Sequence, residues 1–244
     1  MKINEIYLGD CLELMPKHVE DKSIDMIFCD LPYGTTRNKW DSVIPLGELW
    51  SEYNRVIKDN GAIVLFAQTP FDKVLGSSNL KMLKYELVWE KNRPTGHLNA
   101  KKMPMKAHEN ILVFYKKLPT YNPQMTEGHK PLIPTHGKQN KQTNYGLFDV
   151  KVSERQKKGG QTNRYPRSVL KFNVLPNGNL HPTQKPLGLI EYMIKTYTNE
   201  GDLILDNTCG SGTTGLGAKN LGRNYIMMEQ DPKYYEISCK RVLT

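Results

Sequence analysis

Four consecutive residues near the start of the chain combine groups that could activate an amine: Asp30, Leu31, Pro32 and Tyr33. The exocyclic amine of adenine or cytosine is a weak nucleophile because its lone pair is delocalised into the ring. Two acceptors aimed at its N–H groups would free that lone pair, and the Asp30 carboxylate and the Leu31 carbonyl are suitable acceptors. Pro32 adds no competing N–H group and confines Leu31 to an extended conformation. We predict that this turn is catalytic.

Tyr33 adds a flat ring beside these acceptors. A base inside a duplex cannot be reached for chemistry, so it must be flipped out, and stacking on an aromatic ring offsets part of the stacking that it loses. After the turn, Lys39 and Trp40 could close over a flipped base, although Trp40 fits a core position equally well. A D-x-P-Y turn alone is more often a plain strand end, so a second segment has to support the catalytic interpretation.

That second segment is the glycine loop Gly210–Gly215, which fits the G-x-G-x-x-G pattern of nucleotide-cofactor sites. It follows the strand-like run Asp202–Asp206 and opens the helix-like run Thr213–Leu221. Glu229 ends the next strand-like run, where an acid can accept hydrogen bonds from ribose hydroxyls. These features predict a cofactor that contains a nucleoside.

The acid at the end of the preceding strand, Asp206, bears on which cofactor this is. A pyrophosphate needs only backbone N–H donors and a helix N-terminus, and a carboxylate is a poor neighbour for it. The ammonium and sulfonium groups of S-adenosylmethionine suit a carboxylate. The loop therefore favours S-adenosylmethionine, while its glycine pattern alone leaves an NAD-dependent oxidoreductase open.

The rest of the chain predicts an α/β fold that could position both segments. Compact apolar runs predict buried strands, and apolar residues at helical spacing predict amphipathic helices. Asp231 and Pro232 supply the N-cap and first-turn proline of a closing helix. The other predicted helices are Asp10–His18, Leu46–Lys58, Pro186–Thr198 and Thr213–Leu221. The predicted strands are Ile3–Leu8, Ile24–Cys29, Ala62–Ala67, Leu83–Glu90, Asn110–Tyr115, Asp202–Asp206 and Asn224–Glu229.

The net charge of +9 is concentrated in the middle of the chain. Residues 91–180 hold 17 lysines and arginines against 4 acidic residues, an excess of 13, so the remainder carries −4. Residues 118–180 are also rich in Pro, Gly, Asn, Gln and Lys, and a structureless loop of that length is rare inside a compact domain. A solvated surface would show the same charge bias, but we favour a functional insertion over 118–180 that binds a polyanion.

Several classes of protein are disfavoured by what the sequence lacks. No apolar run approaches the roughly 18 residues of a membrane span, and the N-terminus has no signal-peptide pattern. The four cysteines form no C-x-x-C pair and the histidines have no metal spacing, which indicates neither a zinc site nor a disulfide framework. We expect a cytoplasmic protein with reduced thiols, no metal and no membrane partner.

At these residues the sequence resembles the permuted β class of amino-group DNA methyltransferases, which act on N6 of adenine or N4 of cytosine. The catalytic motif of that family resembles Asp30–Tyr33, and its cofactor motif resembles Asp206–Thr214. Three further motifs are similar to Gly9–Cys11, His108–Phe114 and His181–Pro186. The catalytic half comes first, the cofactor half comes last, and the basic insertion stands where the family keeps its target-recognition region.

Two positions depart from the family pattern. The family often has Pro where Leu31 stands, and the role of its carbonyl survives because Pro32 remains. It usually has Phe where Thr208 stands, which puts one apolar contact with the cofactor in question.

The resemblance implies a circularly permuted, Rossmann-like S-adenosylmethionine-dependent methyltransferase fold. Its catalytic half would span 1–117, its target-recognition insertion 118–180 and its cofactor-binding half 181–244. The catalytic residues would be Asp30, Leu31, Pro32 and Tyr33. The cofactor-binding residues would be Asp10, Cys11, Thr183, Lys185, Asp206, Thr208, Gly210, Gly212, Thr213, Thr214 and Glu229. Independently of the resemblance, their basic character predicts DNA-binding residues at Lys39, Lys101, Lys102, Arg155, Lys157, Lys158, Arg164 and Arg167, the last five as a group of phosphate contacts.

The leading hypothesis is a site-specific methyltransferase that flips an adenine out of double-stranded DNA and methylates its N6 amine. Asp at position 30 is the commoner form in N6-adenine enzymes, but N4-cytosine methylation uses the same geometry and an RNA substrate stays open. An NAD-dependent oxidoreductase would leave the Asp30–Tyr33 turn and the basic insertion unexplained. Intact Gly210 and Gly212 argue against a decayed, non-enzymatic nucleic-acid-binding protein.

Some questions stay open at this stage. Lys185 could reach the carboxylate of the cofactor or cap the helix that starts at Pro186. The sequence does not decide the recognised DNA site, a homodimer, or a restriction endonuclease partner in a restriction-modification system.

Overall fold

A computed structural model of the chain describes residues 1–34, 41–135, 140–142, 148–150, 152–175 and 184–243. The chain divides into two compact units. The larger unit comprises Met1–Asn122 and Ser168–Thr244, and the smaller unit comprises Pro123–Arg167.

The larger unit is built on one eight-stranded sheet. In spatial order its strands are β1 (Glu5–Leu8), β10 (Asn224–Glu229), β9 (Leu203–Asp206), β2 (Ile24–Asp30), β3 (Ile57–Ala67), β5 (Lys106–Phe114), β4 (Leu83–Thr95) and β8 (Val169–Lys171). The first five strands run parallel, β5 is antiparallel to both of its neighbours, and β8 is parallel to β4. This mixed sheet confirms the predicted α/β, Rossmann-like class.

Helices cover both faces of the sheet. One face carries α1 (Cys11–His18), α2 (Leu46–Val56) and α3 (Phe71–Ser78), and the other carries α5 (Leu187–Tyr197), α6 (Thr213–Asn220) and α7 (Pro232–Val242). Strand β2 shows how one sequence serves both faces, because successive side chains of a strand point in opposite directions. Ile27 and Cys29 pack with α1–α3, and Met26 and Phe28 pack with α5–α7. A strand buried on both faces is a continuous apolar run, which made it predictable.

The smaller unit has hydrogen-bonded structure of its own. It holds the antiparallel pair β6 (Asn140–Gln142) and β7 (Phe148–Val150), and the short helix α4 (Glu154–Lys158). Ser153 and Gln156 form a capping box at the start of α4. The backbones of Thr126 and Arg164 form a bridge between the two ends of the unit.

The predicted insertion 118–180 is longer than this smaller unit at both ends. Val169–Lys171 pair with Val88–Glu90 and therefore belong to the sheet of the larger unit. A strand of three residues is too short to produce a periodic pattern, so the sequence gives little sign of it. Helix α3 was also absent from the predicted elements.

One predicted boundary was wrong in an informative way. The helix predicted over Leu46–Lys58 ends at Val56, and β3 begins at Ile57 and continues past Gly61. The register of β3 against β2 shifts at this point. A Cβ on Gly61 would lie 2.9 Å from the backbone oxygen of Asp25. This glycine therefore marks a close backbone approach inside the sheet.

The helices of the described ranges include none that is both long and apolar enough to cross a membrane. Among the same residues, no group of three or more His, Cys, Asp or Glu side chains is arranged to hold a metal ion.

Candidate active site

The two predicted motifs meet because β2 and β9 are neighbouring parallel strands. Asp30 ends β2 and Asp206 ends β9, so the loops that follow them leave the sheet at the same edge. The hydroxyl of Thr208 donates a hydrogen bond to the backbone oxygen of Asp30 at 3.2 Å, across 178 residues of sequence. In open α/β sheets ligands bind outside this edge, at the carboxyl ends of the parallel strands.

A cavity of about 300 Å³ opens there. Its volume is at the lower end of the range for small-molecule sites. Besides both motifs, the loop between β1 and α1 contributes to its wall. The predicted site residues that line it are Asp10, Cys11, Asp30, Leu31, Pro32, Tyr33, Lys185, Asp206, Thr208, Gly210, Thr213, Thr214 and Glu229.

The turn after β2 is held rigidly. Oδ1 of Asp41 accepts hydrogen bonds from the backbone N–H groups of Tyr33 and Gly34, each at 2.8 Å. The Tyr33 hydroxyl donates to Oδ1 of Asp30 at 2.6 Å, and its ring stacks on Phe71 with centroids 5.3 Å apart. Burial, and then the negative charge of Asp30, raise the pKa of Tyr33 well above its usual value. The phenol therefore stays protonated and serves as a donor to the carboxylate.

Asp206 is a buried carboxyl at the end of β9. Burial raises its pKa to about 7, although Thr214 and the N–H group of Thr208 donate hydrogen bonds that lower it. Asp30 and Glu229 add two like charges nearby. A carboxylate that is this costly to ionise gains from a cationic ligand. The acids at this position thus fit a ligand that carries an ammonium or a sulfonium group.

Glu229 organises the glycine loop from the end of the neighbouring strand β10. Its Oε2 accepts the N–H group of Gly210 at 2.7 Å and its Oε1 accepts the N–H group of Asp231 at 2.8 Å. Burial raises the pKa of Glu229, and these backbone donors oppose that rise. A carboxylate offers about four lone-pair sites, so Glu229 keeps acceptor capacity for a hydroxyl donor of a ligand.

Asn207 is a site residue that sequence reasoning missed. Its Oδ1 accepts the Tyr53 hydroxyl at 2.6 Å and the Cys29 thiol at 2.9 Å, and its Nδ2 lies 3.4 Å from the sulfur of Cys11. These contacts join the loop after β9 to α1, α2 and β2. The four cysteines are free thiols, and Cys29 and Cys209 are buried.

Gly212 does not line the cavity, and its contact with the cofactor stays a prediction. It precedes α6 with φ of +76°, and a Cβ there would lie 3.0 Å from Cβ of Ser238 and 3.0 Å from Val242 in α7. Its lack of a side chain therefore serves the packing of α6 against α7. The predicted residues Lys39, Trp40 and Thr183 lie outside the described residues.

The ammonium of Lys185, which the sequence predicts to reach the cofactor or to cap α5, lies between acids of two strands. The first turn of α5 is preceded by Pro186 and has no side-chain cap. The Lys185 ammonium is bonded to Oδ2 of Asp30 and lies 3.3 Å from Oε2 of Glu109. Glu109 in turn pairs with Lys91 of β4. Glu109 could have been noticed as an acid beside the apolar run Ile111–Phe114, but no spacing pointed to Lys91.

The predicted DNA-binding residues fall into two groups. Arg155 donates to the carbonyl of Asn163 at 2.6 Å, and Arg164 donates to the carbonyls of Gln161 and Asn163 at 3.0 and 2.9 Å. These two guanidinium groups thus take part in the structure of the smaller unit. The remaining described ones are exposed: Lys101, Lys102, Lys157, Lys158 and Arg167.

Lys101 and Lys102 lie on the hairpin that joins β4 to β5, just after a 3₁₀ turn at His97–Asn99. Lys157 pairs with the exposed Glu154 at 2.6 Å. Such surface pairs are weak and leave a lysine available to a phosphate.

Comparison with known proteins places these features in a family. The family model described as DNA methylase (N6_N4_Mtase) matches residues 24–240. The chain is 30% identical to the type II methyltransferase M2.MboI of Moraxella bovis, over 97% of this chain and 86% of that protein. It is 29% identical to the DNA adenine methyltransferase YhdJ of Escherichia coli, over 96% of this chain and 81% of that protein.

Solved structures agree. The crystal structure of the M1.HpyAVI–SAM complex has a TM-score of 0.65 and 26% identity, covering 97% of this chain and 98% of that one. The PvuII DNA methyltransferase, described as cytosine-N4-specific, has a TM-score of 0.72 over 100% of this chain and 88% of that one. At 17% identity the second likeness shows the fold alone. Because the family model spans most of the sequence, from β2 into α7, this chain belongs to the N6/N4 DNA methylase family.

Proposed function

We propose that this chain transfers a methyl group from S-adenosylmethionine to the N6 amine of an adenine flipped out of double-stranded DNA. The observation that carries the proposal is that one cavity holds the acid of the predicted catalytic turn together with two acids of the predicted cofactor site. The Asp30 carboxylate enters it from the end of β2, and the carboxylates of Asp206 and Glu229 enter it from the ends of β9 and β10.

The cofactor half of the cavity supplies binding. S-adenosylmethionine, when bound, supplies a methyl group activated on a sulfonium. Asp206 would face its positive groups and Glu229 would accept hydrogen bonds from its ribose. Asp10 and Cys11, at the start of α1, would contact its adenine. Asp10 is already fixed as the N-cap of α1 through the N–H group of Leu12 at 2.8 Å.

The catalytic half supplies acceptors and a stacking surface. The Asp30 carboxylate and the Leu31 carbonyl would accept the two N–H groups of the target amine, which leaves its lone pair free to attack the methyl carbon. The ring of Tyr33, already stacked on Phe71, would receive the flipped base. Fixing these groups in advance lowers the barrier because little reorganisation is left for the reaction itself.

Adenine is the proposed base for two reasons. Position 30 is Asp, and the relative YhdJ is named as a DNA adenine methyltransferase. The proposed location is the cytoplasm. The proposed partner is a restriction endonuclease of the same recognition sequence, since several relatives are named type II methyltransferases. Sequencing DNA from expressing cells with modification-sensitive reads tests the recognition site, and sedimentation tests a homodimer.

The experiment that tests the activity is methyl transfer from labelled S-adenosylmethionine to duplex DNA, followed by digestion to nucleosides. Wild-type protein should yield N6-methyladenine. Asp30→Ala should lose at least about 100-fold in transfer rate and keep its calorimetric affinity for S-adenosylmethionine. Asp59→Ala is a matched control, because Asp59 is an exposed carboxylate that does not line the cavity. Wild-type protein without transfer would overturn the proposal, and N4-methylcytosine would overturn the choice of base.

A further inference from the structure

A row of alternating charges runs through the sheet to Asp30. Lys91 on β4 pairs with Glu109 on β5 at 2.5 Å, Glu109 lies 3.3 Å from Lys185 before α5, and Lys185 is bonded to Asp30 at the end of β2. The four charges sum to zero. Lys91, Glu109 and Asp30 lie on three different strands and Lys185 lies just before α5, so the packing of the sheet and of α5 fixes their spacing.

Burial shows that this row is not a solvated surface feature. The side chains of Lys91, Glu109 and Lys185 are 9%, 11% and 7% exposed, whereas Asp30 keeps 25%. A buried ammonium is costly unless it is paired, and Lys185 has two carboxylate partners. The exposed end of the row is therefore the carboxylate that opens into the cavity.

The row also determines how Asp30 is presented. Its Oδ1 accepts the Tyr33 hydroxyl and its Oδ2 accepts the Lys185 ammonium, so both oxygens are held and the plane of the carboxylate is set. Each oxygen keeps a further lone pair for an incoming N–H donor. The Lys185 ammonium also lies 5.0 Å from the centre of the Phe66 ring, which adds a second contact to its position.

We propose that Lys185, braced by Glu109, is a positioning residue that keeps the Asp30 carboxylate oriented and ionised so that it can accept the N–H group of the target amine. This inference rests on the proposed methyl transfer to an exocyclic amine. It assigns Lys185 to the catalytic half of the cavity, whereas the sequence motif around it suggested the cofactor.

Electrostatics support this assignment. The titratable groups that face the Asp30 carboxyl are Tyr33, Lys185, Glu109 and Asp206. Burial raises the pKa of Asp30, Lys185 opposes that rise, and Glu109 adds to it. Burial lowers the pKa of Lys185, but Asp30 and Glu109 outweigh it and the pKa ends above its usual value. The ammonium thus keeps its proton and is the main group that favours the anion of Asp30.

Two substitutions should shift the pKa of Asp30 in opposite directions. Lys185→Met removes the cation, so Asp30 should hold its proton to higher pH, and the acid limb of the single-turnover rate should move up by at least about one pH unit. Glu109→Gln removes a like charge, so the acid limb should move down. Lys185→Arg should restore the wild-type profile. Lys195→Met, an exposed lysine on α5, is the matched control and should leave the profile unchanged.

The rate should be measured across pH 5–9 beside calorimetric affinity for S-adenosylmethionine. At neutral pH Lys185→Met should lose at least tenfold in rate and keep the cofactor affinity within about twofold, whereas a lysine that binds the cofactor would show the reverse. A weakened affinity with an unmoved acid limb, or shifts of the same sign in both variants, would overturn the inference.

A titration of the ¹³C-labelled Asp30 carboxyl by NMR provides a readout that needs no DNA. If wild-type protein fails to methylate DNA but the carboxyl titrates at higher pH in Lys185→Met and lower pH in Glu109→Gln, the proposed function fails and the coupling stands. If Lys185→Met does not fold, Glu109→Gln and Lys185→Arg carry the test by themselves. An Asp30 titration that is the same in wild type and Glu109→Gln would then overturn the coupling.

Discussion

Thr208 donates its hydroxyl to the backbone oxygen of Asp30, and this bond ties the cofactor motif to the catalytic turn. The two residues follow neighbouring parallel strands, β9 and β2. The resembled family usually has an apolar Phe at the position of Thr208. In this chain a hydroxyl at this position has a structural role, because it holds the backbone carbonyl of Asp30, which directly precedes Leu31 in the turn.

Replacing Thr208 with Val keeps the volume and removes this donor. A hydrogen bond of this kind contributes about 1 kcal/mol, so we expect the free energy of unfolding to fall by roughly that amount. If the bond also aligns the turn, the rate of methyl transfer should fall roughly fivefold, which is the rate equivalent. Denaturant unfolding and single-turnover transfer measure the two effects. Thr208→Ser keeps the hydroxyl and should behave as wild type; equal behaviour of the Val variant would contradict the role.

The affinity for S-adenosylmethionine should depend on pH through Asp206. The pKa of Asp206 is about 7 without ligand, and a cationic ligand stabilises its ionised form. Affinity should therefore weaken as pH falls through 7, and binding at pH 6.5 should release a proton. Calorimetry in two buffers of different ionisation enthalpy measures this release. Asp206→Asn should bind more weakly and lack the part of the proton release that belongs to the carboxyl. An unchanged proton count in that variant would contradict the assignment.

The free energy of unfolding of the unliganded protein should also depend on pH through Asp206, but here the protonated carboxyl is the favourable form. Because the folded pKa of about 7 lies above the unfolded value of 3.8, ionisation of Asp206 favours the unfolded chain. Its contribution is fully present below the unfolded pKa and is lost as pH rises toward 7. Asp206→Asn should thus gain stability relative to wild type between pH 5 and 8. Thermal unfolding without cofactor measures the difference, and a difference independent of pH argues against a raised pKa.

Gly212 should be needed for folding more than for cofactor contact. Gly212→Ala would place a side chain at φ of +76° and bring its Cβ to 3.0 Å from Ser238 and Val242. We expect a loss of about 1–3 kcal/mol in the free energy of unfolding. Gly47→Ala is the matched control, since Gly47 lies in α2 with open space around it and should gain roughly 0.5 kcal/mol from helix propensity. A stable Gly212→Ala protein with lost cofactor affinity would reverse this conclusion.

The exposed basic residues of the smaller unit should carry its contacts with phosphates. Changing Lys157, Lys158 and Arg167 to Gln should weaken DNA binding for every sequence. Each lost phosphate contact should flatten the slope of log affinity against log salt by about 0.9. The charge-matched control changes the exposed lysines Lys2, Lys17 and Lys81. Equal slopes for the two triple variants would show that this unit does not bind DNA through these residues.

Arg155 and Arg164 were predicted to contact phosphate with the others, but tertiary structure gives them backbone carbonyls as partners. A charge count along the sequence treats every arginine alike. Whether a guanidinium faces solvent or closes a loop depends on where the chain returns, and the bridge between Thr126 and Arg164 shows that it returns here.

The sequence by itself determined the features that depend on neighbours along the chain. Apolar runs predicted the buried strands, and Asp231 with Pro232 predicted the start of α7. The Asp30–Tyr33 turn and the Gly210–Gly215 loop predicted the site because their chemistry is local: Pro32 restricts the residue before it, and a glycine admits positive φ. These signals arise from a few consecutive residues and survive without knowledge of the fold.

Tertiary structure alone decided which charged groups, distant in sequence, interact with one another. Lys185 lies 155 residues from Asp30, and Lys91 and Glu109 come from two further strands. No periodicity joins these four positions, because their spacing comes from the order of strands in the sheet and from the seating of α5. Electrostatic energy depends on distance through space and on burial. The charged surroundings of Asp30 could therefore be identified only from the folded structure.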